Sequence, residues 1–421
     1  MTDLIDDMLR RAREARRALA KSSAAQRDDA LGKIAAVIDR WDGTILPANA
    51  EDMEIAKEQG ISSSMLDRLR LNASRLRAIS ESARAVAALP DPLGEERELG
   101  TRPNGLKVSK RRVPLGVIAV VYEARPNVTV ECAALCIKSG NAIVLRGGKE
   151  AMGSNRVLAR AVRQGLADAG LPVDCVQLVH DAGREHVAAL LGATGRVDLC
   201  IPRGGAKLME MVDAHAKVPV IRHGQGICHV YVDEGADAKM AAEVAVNAKV
   251  SRPGVCNSME TLLVHKSVID GGLWLEIAKR MRENGVMLRV DERCAKALSD
   301  AKIEHLVAKD SDWDTEFLSL ELAVRAVDSL DEAMEHIAKH GTEHTASIVS
   351  GDRARAERFL REVEASCVLW NASTRFNDGG ELGLGAEIGI STSRMHAWGP
   401  MGLRELTAEK YVVVGEGQVR G

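Results

Sequence analysis

Aromatic residues are scarce in this 421-residue chain: three Phe, three Tyr and five Trp, 3% of the whole. A core so poor in rings is filled with Ala, Val, Leu and Gly, which suits tightly packed α/β layers but says nothing of chemistry. A basic surplus is missing too. Lys and Arg number 57 against 60 Asp and Glu, a net charge of −3, which argues against nucleic acid as the main partner because a duplex asks for a basic face. Cys-x-x-Cys and Cys/His metal spacings are absent among the eight cysteines. The nearest approach, CAALC, places Cys132 and Cys136 on one helix face. Free thiols in a reducing cytoplasm are expected, with no metal site. The N-terminus, MTDLIDDMLRRAREARRALA, is a charged amphipathic helix without the apolar centre of a signal peptide. VPLGVIAVVY is the longest apolar run and is too short to span a bilayer. No membrane association is expected.

What is present is a long chain with material for two or three domains. The first hundred residues read as helical: Leu31, Ile34, Ala35 and Ile38 recur at helical spacing, as do Met65, Leu66, Leu69 and Leu71. A polar hairpin follows, TRPNGLKVSKRR (101–112), turning at Asn104-Gly105. It suits a sheet edge or subunit contact, and equally a solvated ribbon. From Val113 apolar strands alternate with helices, through AIVLR, DCVQLVH, VDLCI and VPVIR. That is the pattern of a parallel sheet covered on both faces. A second such series begins at HVYVD and runs to SCVLW, so a domain change is placed near Gly224-Gln225-Gly226. The tail beyond Asn371 reads as Gly-rich loop until the strand KYVVVG.

Within this frame Cys256, in KVSRPGVCNSMET, stands apart. It follows a Pro-Gly break at the junction of a helix and an apolar strand, so its backbone is in a turn. A free thiol has a pKa of about 8.5 and becomes a nucleophile beside cations or amide dipoles; Arg252 is a nearby cation. Most cysteines are small buried hydrophobes, and residue context leaves both readings open. Two turns after strands carry glycines and cations: Arg146, Gly147, Gly148 and Lys149, and Arg203, Gly204 and Gly205 followed by Lys207. Such turns suit phosphate at a helix N-terminus, or are tight turns with solvated bases. Neither G-x-G-x-x-G nor a P-loop is present. Asn127 opens a helix as an N-cap, or else supplies an amide to an oxyanion.

EARPNVT, LRGGKEA, PRGGAKLM, VPVIRHGQGICHVYVD, SRPGVCNSMET and STSRMHAWGPMG, in this order, resemble the aldehyde dehydrogenase superfamily, and most nearly its proline-biosynthesis branch. The resemblance runs from about Arg111 to the end. It implies an aldehyde-dehydrogenase-like α/β fold: two parallel-sheet domains plus a small β oligomerisation flap. Residues 1–224 would form the cofactor domain, with hairpin 101–112 in the flap. Residues 225–374 would be catalytic and carry Cys256. Residues 375–421 would form a return segment, substrate loop and oligomerisation strand. The activity implied is reduction of L-glutamyl 5-phosphate by NADPH to glutamate 5-semialdehyde with release of phosphate, in a cytoplasmic homo-oligomer that can associate with glutamate 5-kinase. Cys256 matches the family nucleophile, Asn127 its oxyanion-binding Asn, and Glu316 in EFLSLELAV its ribose-binding acid.

Arg222 or His223 stands where hydrolytic members carry a general-base Glu. An acyl-phosphate reductase has to keep water from its thioester, and a cation there suits a phosphate leaving group. Arg146 and Lys149 are candidates for an NADP 2′-phosphate. In the tail, Arg375, Ser391, Arg394 and His396 are candidates for the substrate's carboxylate and ammonium. The competing readings are a cysteine acyltransferase or hydrolase without redox chemistry, and a non-catalytic nucleotide-binding protein.

Overall fold

Hydrophobic clusters built on two parallel sheets organise the chain in a computed structural model that describes residues 2–222 and 224–420. The first unit comprises residues 2–222, 384–389 and 401–420; the second comprises 224–383 and 390–400.

In the first unit five helices, ending at Ala88, precede the strands. Strands β1 (Glu96–Thr101), β2 (Lys107–Pro114), β3 (Val117–Tyr122), β4 (Ala142–Arg146), β5 (Val176–Leu178) and β6 (Leu199–Arg203) follow. The last four make a parallel sheet in the order β5-β4-β3-β6. All six residues of β3 are buried, because helices cover both faces and neither tolerates a polar side chain. The N-terminal helix Thr2–Leu19 supplies Ile5, Met8, Leu9 and Ala12 to one face, against Val117, Ala119, Val121 and Val144. VPVIR is not a full strand. Only Val220 bridges to Cys200, with Cys200 donating to the Pro219 carbonyl at 2.8 Å. Pro219 has no N–H, which limits pairing at this sheet edge.

In the second unit seven parallel strands lie in the order β10-β9-β11-β8-β7-β12-β13. They are β7 (Cys228–Val232), β8 (Met259–His265), β9 (Met287–Val290), β10 (Leu306–Val307), β11 (Glu321–Val327), β12 (Thr345–Val349) and β13 (Cys367–Trp370). Every residue of β7 and of β8 is buried, and Trp274, Ile277 and Met281 pack on one face of the sheet. The β7–β8 register slips between the pairs Cys228–Met259 and His229–Thr261. Glu260 is left as the extra residue of a bulge. Short strands β14 (Ile390–Ser391) and β15 (Gly399–Pro400) pair antiparallel.

The chain's last strand, β16 (Thr407–Val414), returns to the first unit and pairs with β2 along its whole length, giving an antiparallel sheet β1-β2-β16. The hairpin is wider than its Asn-Gly pair implied. Residues 102–106 form the loop, with Arg102 donating to the Leu106 carbonyl at 2.7 Å and Gly105 at φ +87°. No helix among the described residues is long and apolar enough to cross a membrane.

Candidate active site

In the second unit the turn carrying Cys256 is built by helix termination. Helix Ala238–Val250 starts on the Asp237 side chain, which accepts from Met240 N at 2.8 Å. Pro253 cannot continue the helical ladder, and Ser258 N closes a turn on the Val255 carbonyl at 3.0 Å. Ser258 Oγ reaches back to the Ala248 carbonyl at 3.3 Å, and Asn257 Nδ2 donates to the Asn377 carbonyl at 2.9 Å. Cys256 is the exposed thiol of the eight; six others are buried and Cys367 is half-buried. Burial pushes the thiols of Cys132, Cys175 and Cys200 up to about 12, leaving them inert at neutral pH.

Gly226 packs directly on this turn. A Cβ there would lie 2.0 Å from the Cys256 carbonyl oxygen. The Gly226 amide donates to Glu316 Oε1 at 2.9 Å, so the backbone of one glycine joins the cysteine turn to the acid expected to hold ribose. Cys228 Sγ donates to the Cys256 carbonyl at 3.1 Å and lies 3.4 Å from His344 Nδ1.

The cations sort themselves by partner. Arg375 donates from Nε to Ser251 Oγ at 3.2 Å. Burial and then the charge of Arg252 lower its pKa, while Asp378 and Cys256 oppose the shift, so Arg252 and the thiol both lie within electrostatic reach of Arg375. Arg394 is engaged elsewhere: it bridges Glu343 at 3.3 Å and Glu364 at 2.8 Å and stands 4.5 Å from the Trp398 ring. His396, at φ +70°, follows Met395, which is 81% exposed. His223 lies outside the described residues.

In the first unit Asn127 is not an N-cap. Helix Pro126–Lys138 is capped by Arg125 with Pro126 in its first turn, and Asn127 Nδ2 donates to Glu131 Oε2 at 3.0 Å. Proline's fixed φ starts the helix two positions earlier than a side-chain cap at Asn127 would. Arg146 is held by the carbonyls of Gly147 (3.1 Å) and Ala182, and its buried Nε has no hydrogen-bond partner. Gly147 has no room for a Cβ, being crowded by Asn155 and Tyr122, whereas a Cβ at Gly148 would meet only the carboxylate end of Glu150; Lys149 is exposed. At the second turn Arg203 donates to the Ile388 carbonyl. Gly204 packs on Glu123, and the Gly205 amide, at the start of helix Ala206–His215, donates to Glu123 Oε2 at 3.2 Å. That helix terminus already holds an anionic oxygen, the kind of group a pyrophosphate would bring. Arg222 pairs with Asp213 at 2.9 Å.

Sequence reasoning passed over Gly226, Cys228, His344 and a fully buried ion pair, Lys249 and Glu260 at 2.6 Å. Burial raises the Glu260 carboxyl to about 7, against the pull of Lys249, and lowers the Lys249 ammonium.

A Cys turn on one parallel sheet and Gly-rich turns on another are arrangements of a known family. The family model described as "Aldehyde dehydrogenase family" matches residues 2–297, and the chain belongs to that family, whose members work with a nicotinamide cofactor. Its particular relatives are reductases of one kind. The chain is 49% identical to the gamma-glutamyl phosphate reductase of Desulfatibacillum aliphaticivorans over 100% of this chain and 99% of that protein. It is 50% identical to the one from Moorella thermoacetica over 97% of each. The crystal structure of gamma-glutamyl phosphate reductase from Thermotoga maritima matches with a TM-score of 0.94 at 41% identity, covering 99% of this chain and 100% of that one. An acetylating aldehyde dehydrogenase from Geobacillus thermoglucosidasius shares the fold, with a TM-score of 0.72 at 17% identity and coverage of 100% and 98%.

Proposed function

We propose that the chain reduces L-glutamyl 5-phosphate to L-glutamate 5-semialdehyde with NADPH, releasing phosphate, as the second step of proline biosynthesis from glutamate. The observation that carries this reading is Cys256: exposed on a tight turn, beside Arg252 and Arg375, and tied through Gly226 to Glu316. The Cys256 thiolate attacks the acyl carbon, a C–S bond forms, and the C–O bond to phosphate breaks, leaving a thioester. Asn127 and a backbone amide of the cysteine turn hold the oxyanion. Arg252 and Arg375 steady the departing phosphate and the thiolate; Arg222 and His223 are further candidates for the phosphate. NADPH, when bound, would supply the hydride that the thioester carbon accepts. The resulting thiohemiacetal expels the thiolate and frees the aldehyde.

The residue types suit a dinucleotide: the Gly205 amide and its helix terminus a pyrophosphate, Glu316 a ribose, and Arg146, whose Nε has no hydrogen-bond partner, with Lys149 a 2′-phosphate. In the tail Arg375 is assigned to substrate. Arg394, already bridged to two carboxylates, is assigned with His396 to shaping the loop around it. Eight free thiols support a reducing cytoplasm. Tyr411, Val413 and Val414, exposed on edge strand β16, support a homo-oligomer formed through the three-stranded flap. Association with glutamate 5-kinase would shelter the labile acyl phosphate.

The deciding experiment runs the reaction backwards, with glutamate 5-semialdehyde and NADP, with and without inorganic phosphate. Strict dependence on phosphate is expected. Turnover without phosphate, giving free glutamate, would overturn the proposal.

A further inference from the structure

Beneath the Cys256 turn lies an ion pair that none of these steps uses. Lys249, near the end of helix Ala238–Val250, and Glu260, the bulged residue of β8, are both fully buried, with Nζ and Oε2 2.6 Å apart. They bracket residues 250–259, the segment that carries the thiol. A bulge re-aims a side chain beside a functional site, and here it turns Glu260 inward between the turn and a neighbouring loop. Its second oxygen, Oε1, accepts from Leu318 N at 3.2 Å. Leu318 has φ +53°, a left-handed conformation unfavourable for leucine, so the carboxylate restrains a strained residue. Two positions earlier is Glu316, which accepts from Gly226, and Gly226 packs on the Cys256 carbonyl. Between them the Phe317 ring stands 6.0 Å from Lys249 Nζ and 5.6 Å from the Arg289 guanidinium.

The contacts form a closed circuit: Cys256 turn, Lys249, Glu260, Leu318, Glu316, Gly226 and back to Cys256. A buried ion pair is weak evidence for stability, since desolvation offsets much of the attraction. What it supplies here is geometry. We propose that Lys249 and Glu260 are positioning residues, a buried hydrogen-bonded pair that holds the thiol of Cys256 and the carboxylate of Glu316 in one register, so that nucleophile and nicotinamide ribose are presented together. The proposal rests on the roles given above to Cys256 and Glu316.

Three variants test it: Glu260→Gln, the apolar double variant Lys249→Met/Glu260→Met, and the swapped pair Lys249→Glu/Glu260→Lys. The double variant leaves no unpaired buried charge, so its fold survives where the single one fails. Three quantities are read: the thermal midpoint, the pH profile of iodoacetamide alkylation at Cys256 followed on its peptide, and the KM for NADP apart from kcat. In the double variant the midpoint is expected near wild type, the alkylation profile displaced, and KM for NADP raised about tenfold with kcat also lowered, the scale of one good hydrogen bond lost. The swapped pair restores part of both. A folded double variant with wild-type alkylation and wild-type KM would overturn the proposal, as would any variant in which only the midpoint moves. Alkylation and NADP binding by fluorescence need no glutamyl substrate. Shifts in both, with a wild-type enzyme that never turns over the semialdehyde, would sink the substrate reading and leave the positioning role standing.

Discussion

Replacing Gly226 by alanine should disable the enzyme while leaving it folded. An ideal Cβ at this position falls 2.0 Å from the Cys256 carbonyl oxygen, 2.8 Å from its carbonyl carbon and 3.0 Å from its Cα. All three are backbone atoms, so no rotamer change relieves them. A carbon and a carbonyl oxygen rest at about 3.3 Å, so the turn must retreat by roughly 1.3 Å. Misplacing a catalytic group by that much costs on the order of 100-fold in kcat/KM, or about 2.7 kcal/mol of transition-state stabilisation. Overpacking should cost about 1–3 kcal/mol of stability as well. The assay is the reverse reaction, with a thermal melt run beside it. Gly32→Ala is the control, since Gly32 lies within a helix with nothing within 4 Å of its Cβ position; it should match or exceed wild-type stability by about 0.5–1 kcal/mol and keep full turnover. Gly226→Ala retaining more than a third of wild-type kcat/KM would refute the packing argument.

Arg146→Ala/Lys149→Ala should weaken NADP binding about tenfold or more while NAD binding holds, if the pair faces a 2′-phosphate; an unchanged ratio by titration would reject that role. Burial lowers His229 to about 4 and His336 to about 2. Both lie below the ordinary 6.5, so the stability they contribute is complete above that pH and is lost as pH falls from 6.5, toward 4 for His229 and toward 2 for His336. For His229 alone this is on the order of 3 kcal/mol in all, about 2 of it by pH 5, to be read as denaturation midpoints at pH 7, 6 and 5, and His229→Gln should flatten the slope. Val413→Glu on β16 should shrink the particle seen by light scattering without changing the melt, as a charge on an exposed edge blocks pairing; an unchanged mass would move the interface elsewhere.

The alternation of strand and helix was legible because β3, β4 and β6 are apolar on both faces, the mark of a covered parallel sheet. VPVIR misled because its composition suits a strand while Pro219 restricts its hydrogen bonding. Asn127 misled as a cap because Arg-Pro-Asn already contained the stronger signal, proline in the first turn. At the site, Cys256 stood out through its Pro-Gly break, a local feature. Gly226 did not, because what forbids its side chain is backbone far along the sequence. Lys249 and Glu260 were hidden for a related reason: their pairing depends on a bulge between β7 and β8, and a slipped register leaves no trace in the order of residues. The bare list of arginines was legible, but their division into Arg375 beside the thiol and Arg394 locked to carboxylates depends on contacts across loops.

The pairing of β16 with β2 bears on how the protein is made. Residue 107 meets 414 and residue 114 meets 407, while Asn141 is clasped by the Leu406 carbonyl at 2.8 Å. A ribosome must therefore have made residues 407–414, some three hundred positions after β2, before the first-born unit can close its sheet, and until then β2 offers a bare edge to any extended chain nearby. Trimming the last fifteen or so residues would recreate that exposed state permanently, so a tag or truncation at the C-terminus should be judged by aggregation during synthesis as much as by activity.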